Sequence, residues 1–283
     1  FLGNKLKTLT IVGASGFLGR SILDYAIEKK LSKWKINKII AISRRKIYEK
    51  NKKGLNLKFI TGDIKKLKKI PKTDYIIYAV NSSNNKNDNN ALKNFINLLN
   101  KLPKKTKILF TSSGAVYGKI RSKKKYSRSK ILTEKEFKKL GKKGYKVSIA
   151  RLFTFIGKRI LIEKKYAISD FIKAGLYKKK ILVKSKFKVY RSYMHSHDMV
   201  KWLLTILINS NIKCPIYNVG SDESISLQNL AKIIGDIFNK PVEIKKISNK
   251  KIERYVPSIK KARKELKLKI NYNLRTSLYS IIK

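Results

Sequence analysis

The sequence predicts an α/β fold: a doubly wound parallel sheet with helices on both faces. Three observations predict it. Short apolar runs recur up to about residue 150, amphipathic helical stretches separate several of them, and a glycine-rich turn joins the first run to the first helix.

The strands come first. Thr8 to Val12, Ile39 to Ile42, Leu57 to Thr61, Tyr75 to Val80, Ile108 to Ser112 and Val147 to Ala150 are short, apolar and rich in β-branched residues, as strands buried on both faces are. The first helix, Phe17 to Lys30, places Leu18, Ile22 and Ala26 on one face at i, i+4 and i+8. Helices are also expected at Leu92 to Leu102 and Ser127 to Leu140, and Asn81 to Asn90, with six Asn, is expected as a loop. Beyond Arg151 the pattern is less regular, with helices at Tyr166 to Tyr177, Asp198 to Ile208 and Leu227 to Phe238, the last capped by Ser226. No internal repeat and no Pro- or Gly-rich linker is present, so the second half is expected to pack onto the first.

Composition narrows the function classes. The chain has 283 residues, ample for a sizeable core, and 42% of them are apolar, too many for a disordered polyelectrolyte. One cysteine, Cys214, excludes an internal disulfide framework and a thiolate metal cluster. Apolar runs such as Trp202 to Leu204 fall far short of the ~20 residues of a membrane span. No secretory or transit segment is visible and a cytoplasmic location is expected; the chain starts at Phe1, so its native start is expected upstream. The formal charge of +52 comes from 69 Lys and Arg against 17 Asp and Glu, only 11 of them Arg, spread end to end. We read this excess as Lys on solvated faces rather than a nucleic-acid footprint. Where Arg survives, its planar bidentate fork is the reason, because Lys cannot supply one.

The most specific local signal is Gly13-Ala14-Ser15-Gly16-Phe17-Leu18-Gly19, between a buried strand and an amphipathic helix. Glycine permits the tight turn and close backbone approach, and the helix start offers unpaired N–H groups to a pyrophosphate, so the fold is Rossmann-like. An acid ending the second strand would accept hydrogen bonds from a ribose 2′-OH. Here Ser43-Arg44-Arg45 stands instead, suited to a 2′-phosphate, and NADP(H) is expected over NAD(H).

A second constellation closes the fifth strand with Thr111-Ser112-Ser113 and continues at Tyr126 and Lys130, an i, i+4 pair on one helical face. A free phenol has a pKa of about 10, but an ammonium ~4 Å away at a dielectric of ~20 contributes roughly 4 kcal/mol, about three pKa units. Tyr126 then becomes a usable acid/base for a hydroxyl whose carbon exchanges hydride, while Ser113 can hydrogen-bond the same oxygen.

These motifs resemble the extended short-chain dehydrogenase/reductases, in the NAD(P)-dependent nucleotide-sugar epimerase/dehydratase group. The similarity continues through Gly62-Asp63-Ile64, Ser113 to Gly118, Arg151 to Gly157, Arg191 to Asp198 and Tyr217 to Ser221. The resemblance implies a dinucleotide-binding domain over residues 1–155 with returning strands around 188–220, and a substrate-binding region over 156–187 and 221–283. It implies that Asp63 accepts from the adenine amino group, that Ile64 and Ala79 also line the cofactor, and that Lys130 holds the nicotinamide ribose. Thr154 and Arg191 would bind substrate, Arg191 clamping the diphosphate. A homodimer through the helices at Leu92 to Leu102 and Ser127 to Leu140 is implied as well.

Departures refine the expectation. Dehydratases of this group carry Asp-Glu where this chain has Gly114 and Ala115, so elimination of water lacks its acid/base pair. The segment from Gly118 to Lys125 is shorter than in typical 4-epimerases, and Thr154 stands where many have Asn. The expected activity is oxidoreduction at a hexose carbon, C4, of a nucleotide-diphosphate sugar. Reduction of a 4-keto sugar is favoured over epimerisation with retained cofactor. A catalytically quiet nucleotide- or RNA-binding protein is the reading from another class; the intact Ser113, Tyr126 and Lys130, and Lys runs without interleaved aromatics, weigh against it. His195 and His197 lack an evident third ligand, and no metal is expected.

Overall fold

A computed structural model describes residues 6–28, 31–48, 54–80, 85–118, 125–160, 166–246 and 248–282. In chain order the elements are β1 (Lys7–Val12), α1 (Phe17–Ile27), β2 (Ile36–Ser43), β3 (Asn56–Thr61), β4 (Tyr75–Tyr78), α2 (Asn85–Leu99), β5 (Lys107–Ser113), α3 (Lys125–Lys142) and β6 (Lys146–Leu152). They continue with β7 (Phe155–Ile156), α4 (Ala167–Tyr177), β8 (Ile181–Val183), β9 (Phe187–Arg191), β10 (Met194–His195), α5 (Ser196–Ile208) and β11 (Ile216–Val219). The last are β12 (Ile225–Ser226), α6 (Leu227–Phe238), β13 (Val242–Ile244), β14 (Ser248–Tyr255), α7 (Lys260–Leu266) and α8 (Leu274–Ile282).

Two compact units are formed: Phe1–Leu152 with Val200–Tyr217, and Phe153–Met199 with Asn218–Lys283. The first is built on a seven-stranded sheet in the order β3-β2-β1-β4-β5-β6-β11, with β1 to β6 paired in parallel. The order reverses beside β1, which makes the strand ends there a natural ligand crevice. Alternate residues of each strand serve opposite faces. Val12, Ile40, Ile42 and Phe110 pack on one face with Phe95, Leu99, Phe137 and Leu140 of α2 and α3. Phe110 stacks on Phe137 at 4.6 Å between ring centres, and Tyr78 meets Phe95 at 4.4 Å.

The second unit uses short strands in small sheets: β12-β9-β14, β10-β7 and β13-β8. Ile168, Phe171 and Ile172 of α4 pack with Leu230 and Ile234 of α6, Ile181 and Val183 of β8, and Leu278 of α8. Ser226 caps α6, its hydroxyl accepting the Asn229 amide at 3.1 Å.

Three expectations change. Asn85–Asn90 is the start of α2 rather than loop, while Asn81 to Asn84 lie outside the described residues. The buried Ala91, Leu92, Phe95, Leu98 and Leu99 commit the stretch to helix, and a helix's first turn needs no internal partner for its N–H groups. At its other end α2 stops at Leu99, short of the expected Leu102: the Lys101 and Leu102 amides close tighter turns on the Leu98 and Leu99 carbonyls, at 3.2 and 2.9 Å, and Pro103 disfavours helical backbone at Leu102. Of the strands expected to return to the main sheet around 188–220, only β11 does so; β9 pairs with β12 and β14. In β9 only Val189 is buried, the pattern of a strand covered on one side rather than two.

Candidate active site

The turn after β1 is shaped by close approach. Gly13 has φ +95, and a Cβ on it would lie 2.6 Å from the Ala79 carbonyl oxygen. The Gly13 and Ala14 amides both donate to the Ile42 carbonyl, at 2.9 and 3.0 Å, and Ala79 N donates to Val12 O at 2.8 Å. A Cβ on Gly19 would lie 2.5 Å from the Ala14 backbone, so α1 seats directly on the turn. Over Gly16 there is room, the nearest atom to a built Cβ being Gly13 O at 3.8 Å. Gly16 is the N-cap of α1 and provides no side-chain cap, and the first turn holds no acid. A helix start free of acid and of a side-chain cap fits the pyrophosphate of a dinucleotide. Ser15, Phe17 and Leu18 are half-buried around it.

At the end of β2 the Ser43 hydroxyl donates to the Arg45 carbonyl, while the Arg44 and Arg45 side chains are exposed. Asp63 closes a turn after β3: its Oδ1 accepts the Lys65 amide at 3.0 Å and Oδ2 lies 3.5 Å from Lys65 Nζ. The Ile64 side chain is buried in the core beside α2, leaving only its backbone for a cofactor.

Beyond β5 the catalytic candidates gather. Lys130 is only 8% exposed, and its Nζ donates to the Thr111 carbonyl at 3.3 Å. The ammonium lies 5.8 Å from the centre of the Tyr126 ring and 5.2 Å from that of Phe110. Tyr126, one helical turn earlier, is 42% exposed, so its phenol can meet a ligand. Ser113 Oγ accepts the Ala115 amide at 3.2 Å, which leaves the hydroxyl proton to be donated elsewhere. Gly114 and Ala115 sit in the short turn that follows and bring no carboxylate to it.

Sequence reasoning passed over Glu134, the next residue along the same face of α3. It is 4% exposed and fully engaged: Oε1 accepts from Ser112 Oγ at 2.6 Å and Arg151 Nε at 3.0 Å, and Oε2 from the other Arg151 fork nitrogen at 2.7 Å. That hydrogen bond is the first cause holding the Arg151 pKa above its ordinary value, against burial, with Tyr117 also contributing. The guanidinium lies 4.7 Å from the centre of the Tyr117 ring. The available signal was an acid four residues after Lys130 in a chain with so few acids.

Thr154 and Arg191 belong to the second unit. Thr154 is buried, and its carbonyl accepts the Met194 amide at 3.1 Å. Arg191 donates to the Tyr190 carbonyl at 2.9 Å and to Glu253 Oε1 at 2.5 Å. His195 is committed locally: Nδ1 accepts the His197 amide and Nε2 meets Ser280 Oγ, each at 3.1 Å. Ser280 gives its own proton to the Ser277 carbonyl, so His195 carries its hydrogen on Nε2. Among the described residues no three His, Cys, Asp or Glu side chains cluster as metal ligands, and no helix is long and apolar enough to cross a membrane.

The family described as NAD dependent epimerase/dehydratase matches residues 9–220. The chain belongs to that family. Among curated members, UDP-glucuronic acid decarboxylase 3 of Arabidopsis thaliana is 29% identical over 137 residues, covering 48% of this chain and 40% of the relative. UDP-glucuronic acid decarboxylase 1 of Xenopus tropicalis is 28% identical over 122 residues, 42% of this chain and 28% of the relative. The match thus spans two fifths or less of the length of these relatives. The fold is shared over nearly the whole chain. An epimerase of Methanothermobacter thermautotrophicus superposes with TM-score 0.76 at 16% identity, covering 98% of this chain and 91% of its own. The dTDP-glucose 4,6-dehydratase of Bacillus anthracis, solved with NAD, gives TM-score 0.76 at 17% identity, covering 98% and 95%.

Proposed function

We propose that this family member catalyses nicotinamide-dependent oxidoreduction at C4 of the hexose in a nucleotide-diphosphate sugar, net reduction of a 4-keto sugar being its main reaction. The observation that carries this is the buried Lys130 ammonium beside an exposed Tyr126 phenol, one helical turn apart, beyond the strand that ends in Ser113.

In this reading the first unit holds the cofactor. Gly13 to Gly19 and the start of α1 take the pyrophosphate, Asp63 the adenine amino group, and Arg44 and Arg45 the 2′-phosphate of NADP(H). When bound, the nicotinamide supplies hydride to the sugar carbon. Reduction of a carbonyl also requires a proton on oxygen, and Tyr126 gives it. Lys130, its charge kept close by the Thr111 carbonyl, favours the phenolate that remains. Ser113 donates a hydrogen bond to the same sugar oxygen. Arg191 takes the diphosphate by exchanging its Glu253 partner for phosphate oxygens, a contact for which a guanidinium fork is better suited than an ammonium. Gly114 and Ala115 leave no carboxyl acid/base for eliminating water, which supports reduction over dehydration. The homodimer implied by the family would form through α2 and α3.

Epimerisation is the second reading, since the same tyrosine and a retained cofactor suffice for it. A panel of UDP-, dTDP-, CDP- and GDP-sugars with their 4-keto forms, assayed with NADPH and NADH, tests the proposal. One NADPH consumed per 4-keto sugar reduced is the expected result. Cofactor-neutral interconversion of C4 epimers, or release of CO2 from UDP-glucuronic acid, overturns net reduction, and tighter binding of NADH overturns the NADP(H) assignment.

A further inference from the structure

Behind the candidate acid/base lies a polar layer that the reaction as described does not use. Tyr126, Lys130 and Glu134 succeed one another at i, i+4 and i+8 on α3, so one face carries a phenol, an ammonium and a carboxylate in line. Left alone, a carboxylate one turn from Lys130 would draw on the same ammonium and oppose its field at the phenol. Arg151 prevents this by taking both Glu134 oxygens, at 3.0 and 2.7 Å. It reaches Glu134 because β5 and β6 pair in parallel with Ser112 opposite Arg151, and Ser112 adds the third hydrogen bond. The residue after Ser112 is Ser113, and the residue before it is Thr111, whose carbonyl holds Lys130. One carboxylate therefore ties α3 to both strands at the level where the candidate catalytic groups stand.

We propose that Glu134 and Arg151 are positioning residues: the pair locks α3 against β5 and β6, and Arg151 neutralises Glu134 so that the charge of Lys130 acts on Tyr126 undivided. Lys130 then faces the Thr111 carbonyl and the Tyr126 ring.

Among the described residues, the titratable side chains on elements packed against the helix include Tyr117, Arg151, Lys107, Lys146 and Lys93. Lys107 and Lys146 begin their strands, at the opposite edge of the sheet from Ser113. Lys93 lies on α2, and Tyr117 is stacked on Arg151. On α3 itself Lys125 and Arg128 flank Tyr126 and are exposed, where water screens them.

The proposal rests on Tyr126 being the acid/base, and its test uses a signal separate from turnover. The Tyr126 phenol is titrated by 13C NMR of tyrosine-labelled protein, its resonance assigned by its loss in Tyr126→Phe. Arg151→Gln leaves Glu134 unneutralised and should raise the Tyr126 pKa by about half a unit or more; Glu134→Gln frees the Arg151 charge and should lower it. The double variant Glu134→Gln/Arg151→Gln should return it to the wild-type value. Should Arg151→Gln not fold alone, the double variant is read against Glu134→Gln, where adding the arginine change must raise the pKa. A scaffold with no electrostatic role would move both single variants the same way or not at all, and either result overturns the proposal. Opposite shifts together with an active Tyr126→Phe would uphold this coupling while removing the acid/base reading, so the two fail separately.

Discussion

One buried ion pair of the first unit contrasts with the exposed pairs described in the second. In the first, the Arg151–Glu134 pair is withdrawn from water, its side chains 19% and 5% exposed, and it stands beside a buried lysine. In the second, Arg191–Glu253, Lys180–Glu243 and Arg263–Asp222 all remain substantially in solvent. Burying a charge is costly, and a paired one contributes little net stability compared with apolar packing. The first unit carries that cost at the end of β5, one turn along α3 from Lys130. The second unit buries Asp198 completely, and there the purpose is to hold chain to chain: its oxygens accept from Asn271 N, Asn271 Nδ2 and Tyr272 N at 2.7, 2.6 and 3.0 Å. In the proposed function, buried polarity thus serves chemistry in one unit, while in the other it serves attachment.

The sharpest way to break that contrast is to remove the phenol oxygen. Tyr126→Phe should lower kcat/KM by about 10²–10⁴, the usual range for losing a positioned acid/base, with an unchanged thermal midpoint because the oxygen sits on an exposed side chain. Steady-state rates and calorimetry on the same preparation decide it. A large loss of stability with turnover per folded molecule retained would make this end of the sheet as structural as the Asp198 clasp.

The same contrast explains what could be read in advance. β1, β2, β4 and β5 are largely buried, and most residues of β1, β2 and β5 are apolar or small, so their runs stand out against a Lys-rich background, whereas β3 at the sheet edge is only partly covered. Glycines that admit a turn, and a Tyr and Lys one turn apart, are local signals and were visible for that reason. β14 carries Lys250, Lys251, Glu253 and Arg254 with no apolar run and gains its place by pairing with β9, some sixty positions away, which no local window reveals. The helix α7 buries only Ala262 and shows almost no apolar stripe. Arg151 was noticed, but its partner was not: only the parallel register of β5 and β6 brings it to Ser112 and Glu134.

In the second unit, Asp198→Ala should cost about 3 kcal/mol. It removes a fully buried acceptor and leaves two backbone amides and one side-chain amide without their partner. The loss should appear first as easier proteolysis near Asn271 and Tyr272, since these contacts fasten the segment leading into α8. Limited proteolysis and urea unfolding measure it. A cost below about 0.5 kcal/mol would mean that the stacking of Tyr272 on His195, 4.2 Å between ring centres, already suffices to hold the segment.

The smallest effect belongs to the exposed pairs, and the net charge gives it a sign. Arg263 meets Asp222 with both fork nitrogens, at 2.7 and 3.2 Å, yet each side chain is nearly half exposed, so the pair contributes at most about 1 kcal/mol. In a chain of net charge +52, removing the arginine also relieves repulsion, whereas removing the aspartate adds to it. Asp222→Asn should therefore destabilise by about 0.5 kcal/mol more than Arg263→Gln at low ionic strength. Near 1 M salt, where screening acts within about 3 Å, the two should converge. Urea midpoints at the two salt concentrations measure this; equal costs at low salt would show that the long-range field of the lysines does not reach this pair, and that its geometry alone sets its strength.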